Sequence, residues 1–444
     1  ALAAVFEGVL GRANVGADEH FLELGGDSIL ALQVVARARR AGYALEPRDV
    51  FDAPTVAELA RLAARADALG VGVDPNGPAP LTPIQRWFLG PGAGGAGPVR
   101  PEAFAMLVEF EVAADVDERR LADALSTLVA RHGALRSAFT SVGGHWGAEI
   151  RPTGAVPAPR VLGGDAAALE GAVLAGGLSL EDGALVLASL EGARGALAVH
   201  HLAVDAVSLG VLMAELDELL GGGTIDAPAR DVWRAWCLES AGRDAELGSS
   251  PIESNGTGSS PAGLGTEDAS FSRDVDLPFA LAEPAEAVQD GLVSALSTAA
   301  REALGTAGDV DVEGHGRAAA SIVDTVGWFT AIERRAFGRA ASSDADVLLN
   351  VFASSSAPAA GRVVRAHGPI RRVRDGAAAR THAVDAHARP AAEGWRLTLD
   401  FASAAFDAAR ADRFVAALEA ALEQPALGAG VSADDLDDLL DELD

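Results

Sequence analysis

At 444 residues, nearly half of them apolar, the chain is too long for one ordinary domain and can bury a core in each of two or three. Its 64 acidic residues against 35 basic ones give a formal charge of −29, which argues against nucleic acid as a partner. All of the basic residues are arginine, so lysine Schiff-base chemistry and a phosphate-loop lysine are both excluded. Cys237 is the single cysteine, which leaves no internal disulfide and no cysteine-based zinc site. That usage fits a reducing, cytoplasmic setting. No apolar run reaches the length of a membrane span, and no basic region precedes an apolar stretch at the start. The opening ALAAVFEGVL reads as a helix already under way, so the chain is expected to be cut from something longer. The histidines show no HExxH and no other tight ligand spacing, so no metal is expected.

In chain order, Leu2, Val5, Phe6 and Val9 or Leu10 recur at helical spacing. A second helix is expected from about Ser28 to Arg40 and a third from Val56 to Ala66, with Thr55 as its N-cap. The Gly/Pro-rich stretch 70–80 reads as a linker. Beyond it, strands are expected at 105–112, 195–200, 363–373 and 394–401. Helices are expected at 117–132, 207–220, 281–304 and 407–422. These fall into two α/β groupings that divide near residue 230. The Gly/Ser-rich stretch 248–265 reads as a surface loop, and the acidic end 434–444 as a solvated amphipathic helix.

Leu24-Gly25-Gly26-Asp27-Ser28-Ile29 puts a serine hydroxyl at a helix start behind a double-glycine turn. From those residues alone it is either a helix cap or a point of attachment for a phosphate favoured by the helix amides. With its helical surroundings, the LGGDSI string resembles the peptidyl carrier domains of nonribosomal peptide synthetases. The resemblance implies a small four-helix bundle with 4′-phosphopantetheine attached covalently to Ser28. It also implies that Asp27 marks a carrier preceding an epimerization domain.

His200-His201-Leu202-Ala203-Val204-Asp205 falls between a strand and a helix. In extended chain, adjacent histidines point oppositely, so one can face a channel while the other packs. A carboxylate four residues on can pair with an arginine and fix the turn. The string resembles the HHxxxD core of the condensation-domain superfamily. Glu313-Gly314-His315-Gly316-Arg317, Thr325-Val326-Gly327-Trp328-Phe329-Thr330 and Pro83-Ile84-Gln85-Arg86-Trp87-Phe88 resemble signature strings of its epimerization branch. This implies a two-lobed α/β fold like that of chloramphenicol acetyltransferase. The domains would be a carrier at 1–69, a linker at 70–80 and an epimerization domain at 81–444, with lobes of about 81–230 and 231–444.

The resemblance further implies that Glu313 and His201 are catalytic, with Glu313 taking the α-proton of a carrier-bound thioester from a dry tunnel. His201 would stabilise the resulting enolate or return a proton to the other face. One-base and two-base routes both fit. His200, Asp205 and Asn350 would be structural at the active site. Implied partners are an upstream adenylation domain, a downstream condensation domain and a phosphopantetheinyl transferase.

Three departures stand against that pattern. Ala206 replaces a glycine, Leu209 a tryptophan, and Val351 a tyrosine beside Asn350. Only nineteen residues, 331–349, separate Thr330 from Asn350, which predicts the loss of elements of the second lobe or of its bridge. The alternative is therefore a drifted domain that gates or docks the carrier, or acts otherwise on its acyl group, without epimerization.

Overall fold

The structure, a computed structural model, describes residues 2–62, 64–65, 73–90, 100–225, 232–247, 264, 266, 269–280, 285–317, 322, 325–335, 345–352, 361 and 363–423, apart from 13, 27, 41–42, 46–47, 377, 379 and 392–393. The acidic helix expected at 434–444, most of the 248–265 loop, and Asp27 lie outside the described residues.

The N-terminal unit packs four helices, α1 (Leu2–Leu10), α2 (Ser28–Arg40), α3 (Asp49–Asp52) and α4 (Val56–Leu62). Phe6, Phe21, Val34, Val35 and Leu59 are fully buried between them, with Phe6 and Phe21 edge to face at 5.6 Å. Thr55 caps α4 as its sequence indicates. Its Oγ1 accepts from Glu58 N at 3.2 Å and its own N–H donates to the Glu58 carboxylate at 3.3 Å. The helix stops at Leu62, short of the expected Ala66, because Ala64–Arg65 (β2) turns to pair with Tyr43–Ala44 (β1).

The rest of the chain forms two lobes. In the first, β3 (Gly77–Ala79), β5 (Ser137–Val142) and β6 (His145–Ile150) make a small sheet. The last residues of the expected linker are thus a strand: backbone pairing with the distant β6 carries no local sequence signal. A larger sheet contains β4 (Phe104–Val112), β7 (Arg160–Gly163), β8 (Val186–Glu191) and β9 (Arg194–His200). Helices α5 (Pro83–Leu89), α6 (Glu118–Arg131), α7 (Ala166–Leu174), α8 (Ala206–Leu220) and α9 (Trp233–Leu247) complete this half. Strand β4 is apolar on both faces because both are covered. Ala105 and Leu107 pack with Leu169 and Val173 of α7, while Met106, Val108 and Phe110 join the main core.

The second lobe is a six-stranded sheet of β10 (Ser270–Leu277), β11 (Val310–Gly314), β12 (Ala331–Arg335), β13 (Val347–Val351), β15 (Val384–Ala391) and β16 (Gly394–Ala402), in the order β10-β16-β15-β13-β11-β12. Helices α10 (Ala285–Leu304) and α11 (Ala408–Glu423) cover one face. Val310, Val312, Val347, Leu349, Leu397 and Phe401 pack there with Leu292, Leu296 and Phe414. Strict alternation along the strands sends Asp311, Glu313, Asn350 and His387 to the opposite face.

The expected division near residue 230 is corrected by β14 (Val364–Arg374). It leaves the second half of the chain to become the edge strand of the first lobe's sheet, Arg374 opposite Phe104 and Val364 opposite Val112. Ile322, Val326, Trp328 and Phe329 are likewise buried in the first core. The crossing strand follows Asn350 and is present, so the short 331–349 interval has not removed it. Among the described residues no helix is long and apolar enough to cross a membrane, and no group of three or more metal-ligating side chains is assembled.

Candidate functional site

The quoted strings, far apart in sequence, converge on the loop between β9 and α8. Asp205 caps α8 by accepting from Ser208 N at 2.8 Å. Both its oxygens also accept from Nη2 of Arg317, at 2.9 and 3.0 Å, and Phe329 N donates to it at 3.1 Å. Arg317 is fully buried. It donates to the carbonyls of Ile322 and Thr325, both at 2.7 Å, and lies over the Phe329 ring at 4.1 Å. Gly316, at φ +63°, permits the turn; a Cβ there would meet Phe329 O at 1.8 Å. The Ser208 hydroxyl accepts from Gly327 N at 3.0 Å. Gln85 forms a capping box with Thr82 and donates to Leu202 O at 2.8 Å.

These contacts hold the two histidines in different states of use. His200 is fully buried, its Nε2 facing Pro101 O at 2.8 Å and its Nδ1 accepting from Leu202 N at 3.1 Å. Neither nitrogen is left over. His201 directs Nδ1 at Val204 O, 2.9 Å away, so that nitrogen carries the proton and Nε2 is bare. Phe104 stacks on its ring at 4.7 Å and Trp328 lies at 4.5 Å. Burial, with the charge of Arg372 as the second cause, drives His201 down to about 3; burial alone takes His200 to about 4. His201 is therefore a neutral ring presenting an acceptor.

Glu313 is on β11, half-buried rather than sealed in a dry tunnel as expected. The register sets Glu313 opposite Asn350 on β13, and Asn350 opposite His387 on β15, so the three share one row of the sheet. Below Glu313, Asp311 is buried with Arg334 at 2.7 Å and His382 at 3.1 Å; burial would raise its carboxyl, but the bonds from His382 and Arg334 hold it down to about 2. Arg372 of β14 joins the lobes: its Nη2 donates to His387 Nε2 at 3.3 Å, and its charge reaches His201. His201 and the Glu313 row are therefore carried by opposite lobes. No direct contact links Glu313 to His201 among the described residues.

Ala206 is the first residue of α8, in ordinary helical backbone, so its methyl group introduces no strain. Leu209 fills its position fully buried. Sequence reasoning assigned no role to Trp328, Gln85 or Arg317, although all three lie inside the quoted strings. Phe104 and Arg372 have no local signal; the β4–β9 pairing brings Phe104 to His201, and the β4–β14 pairing brings Arg372 there.

His200, His201 and His387 all have affinities for protons pushed below the ordinary 6.5, His387 to about 3 by burial first and Arg372 second. The unfolded chain therefore binds more protons than the folded one between pH 6.5 and about 4. Stability is full above that window and falls as pH drops through it. Denaturant midpoints measured from pH 8 to 4 should decline below 6.5; a flat profile down to 4.5 would refute the buried neutral histidines.

In the carrier unit, Ser28 begins α2 behind Gly25, at φ +89°, and Gly26. A Cβ on Gly26 would land 2.4 Å from the Phe21 ring, so the turn needs glycine to press against the bundle and set residue 28 at the helix start. That arrangement fits an attached phosphate, whose charge the helix amides favour.

Residues 1–63 match the phosphopantetheine attachment site family. The chain is 30% identical over 389 residues to one of the linear gramicidin synthase proteins of Brevibacillus parabrevis, and 30% identical over 379 residues to chondramide synthase of Chondromyces crocatus. Each alignment covers 74% of this chain, but the chain spans only 5% and 10% of those relatives. Among solved structures, the epimerization domain from the third module of tyrocidine synthetase B matches with TM-score 0.58 and 17% identity, over 78% of this chain and 96% of that one. The condensation domain of Monacolin K polyketide synthase matches with TM-score 0.52 and 14% identity, over 78% and 96%. The chain is thus a carrier domain followed by a two-lobed domain with the fold of solved epimerization and condensation domains. The carrier bears a covalent 4′-phosphopantetheine, and the chain's relatives include a protein named nonribosomal peptide synthetase 8 of Aspergillus fumigatus, 32% identical over 244 residues that make up 48% of this chain and 3% of that protein.

Proposed function

We propose that Ser28 carries the prosthetic group with an aminoacyl or peptidyl thioester, and that the second domain inverts its α-carbon from L to D. The observation that carries this reading is the lock between Arg317 of the EGHGR string and Asp205 of the HHxxxD string. It ties the strand bearing Glu313 to the loop bearing His201, in a chain whose carrier lies directly upstream. When bound, the group supplies a thioester that acidifies the neighbouring α-hydrogen. Glu313, a carboxylate open to the seam between lobes, can take that proton. The bare Nε2 of neutral His201 can accept a proton from the other lobe's side but has none to give. Inversion therefore returns the proton either from Glu313 itself, now the acid, to the opposite face of the enolate in a one-base route, or from His201 once it is protonated in a two-base route.

The proposed domains are a carrier at 1–69, a linker at about 70–76 and a catalytic unit from 77 onward. The proposed partners are adenylation and condensation domains of a longer synthetase and a phosphopantetheinyl transferase.

Two tests follow. Treatment with a transferase and coenzyme A should add one phosphopantetheine mass to the wild-type chain and none to Ser28→Ala; a gain on the variant sinks the attachment site. The loaded holo-protein should then exchange its α-hydrogen for deuterium in heavy water. No exchange with any of a panel of aminoacyl and peptidyl groups would leave the drifted-domain reading, which Val351 and the short 331–349 interval favour.

A further inference from the structure

Several arginines lie on or beside the polar face of the second sheet, in a chain of net charge −29. Arg380 is paired with Asp385 at 3.1 Å and Arg396 with Asp276 at 2.9 Å. Arg372 and Arg389 differ: neither has a carboxylate partner among the described residues. Arg389 is two residues beyond His387 on β15, so both project from the same face. Arg372 reaches His387 from the other lobe. An arginine can only donate, so His387 Nε2 is the acceptor of that bond and Nδ1 carries the proton. His387 Nδ1 and Arg389 Nε are both buried atoms without a hydrogen-bond partner among the described residues. Asp385 Oδ1, two residues before His387 on the same face, is a third such buried atom, but its carboxylate is already paired with Arg380 at 3.1 Å. Leaving buried donors unmet is costly, and two guanidinium groups with no carboxylate partner among the described residues, beside the unmet donors of His387 and Arg389, ask for an anion.

We infer that Arg372, His387 and Arg389 form a binding site for a carboxylate carried by the tethered acyl group, a side-chain acid of the aspartyl or glutamyl kind. The inference rests on the reading that the acyl group reacts at the seam between His201 and Glu313. Arg372 acts on both His201 and His387, so the site begins within one guanidinium's reach of the reacting carbon. The phosphate of the prosthetic group is excluded as the anion by its chemistry, since it sits at the serine end of the arm and the acyl group at the other. Asn350, in register between Glu313 and His387, lies along the path from the α-carbon to the acid.

The test is calorimetric titration of the full, unloaded chain with stable amide analogues, N-acetyl-glutamyl-aminopantetheine and its neutral glutaminyl counterpart. The wild type should bind the glutamyl compound roughly tenfold or more tightly than the glutaminyl one. Arg372→Gln and Arg389→Gln should each bring the two affinities to within about twofold, while Arg389→Lys retains part of the preference. Far-ultraviolet spectra identify any variant that fails to fold, and the lysine variant then carries the comparison. Equal wild-type affinities, or a preference surviving both glutamine substitutions, overturn the site. So does a gain in affinity from adding a 4′-phosphate to the neutral glutaminyl analogue that Arg389→Gln abolishes, because the anion would then be the phosphate. A chain that prefers the glutamyl compound yet exchanges no α-hydrogen keeps this site and loses the proposed reaction.

Discussion

Replacing Glu313 by Gln, or His201 by Ala, lowers α-hydrogen exchange in the loaded holo-protein by about 10²- to 10⁴-fold, the range typical of losing a positioned acid or base. Glutamine keeps the size of Glu313 and its place beside Asn350 but cannot take a proton. Alanine at 201 removes the bare Nε2 while Asp205 and Arg317 still hold the loop. The routes separate when the carrier is loaded with L- and D-acyl groups in turn. With bases on opposite lobes, one variant loses exchange mainly from the L form and the other mainly from the D form. Loss of both forms in Glu313→Gln, with His201→Ala retaining both, would instead establish a single base. Unchanged exchange in both variants would remove these residues from the chemistry.

Arg317→Met destabilises the two-lobed domain by about 3–5 kcal/mol, because it leaves the Asp205 carboxylate buried without its counter-charge. Methionine approximates the volume of the stem, so the loss reports charge and hydrogen bonding more than packing. Asp205→Asn should cost a comparable amount by the converse argument, stranding a guanidinium that is fully buried. The double variant should cost less than the two losses added together, since each single change already breaks the same pair. All six tryptophans lie beyond the carrier unit, and Trp233 and Trp236 pack on Phe329, under the Arg317 guanidinium. Tryptophan fluorescence in a denaturant titration therefore reads this domain alone. Losses below about 1 kcal/mol, or strictly additive ones, would show that the pair does not hold the strings together.

The helices α6, α8, α10 and α11 and the strands β4, β9, β14 and β16 were legible because their apolar residues repeat at the right period, whereas α7, α9 and the buried β8 and β13 were not read. Leu121, Leu125 and Leu128 mark one face of α6, and β9 is apolar almost throughout. Strand β15, VDAHARPA, was not legible. Its inward residues after Val384 are alanines, too small to stand out, though Ala386 and Ala388 are fully buried. The four residues of α3 are too few for a period. In the site, His200, His201, Asp205, Glu313 and Asn350 sit in strings that can be read locally. The row joining Glu313, Asn350 and His387 cannot, because register across β11, β13 and β15 is set by pairing between distant segments. Arg372 is the clearest case: in VRAHGPIRRVR it is one of several arginines, and only the crossing of β14 brings it to His201.

That crossing also bears on how the protein is made. Arg371 of β14 meets Glu109 of β4 at a sequence separation of 262. During synthesis, β4 and β9 emerge early and wait with one edge open until β14 leaves the ribosome. Pairing at such sequence separation is slow, because the loop must close before its contacts reward it. An unpaired edge is also a template for association between nascent chains. Cutting near residue 230 would give a first half lacking both this edge strand and the buried Val326, Trp328 and Phe329. Recombination of such domains between synthetases should therefore exchange residues 77–423 as one block, and hybrids joined between the lobes should accumulate as aggregates.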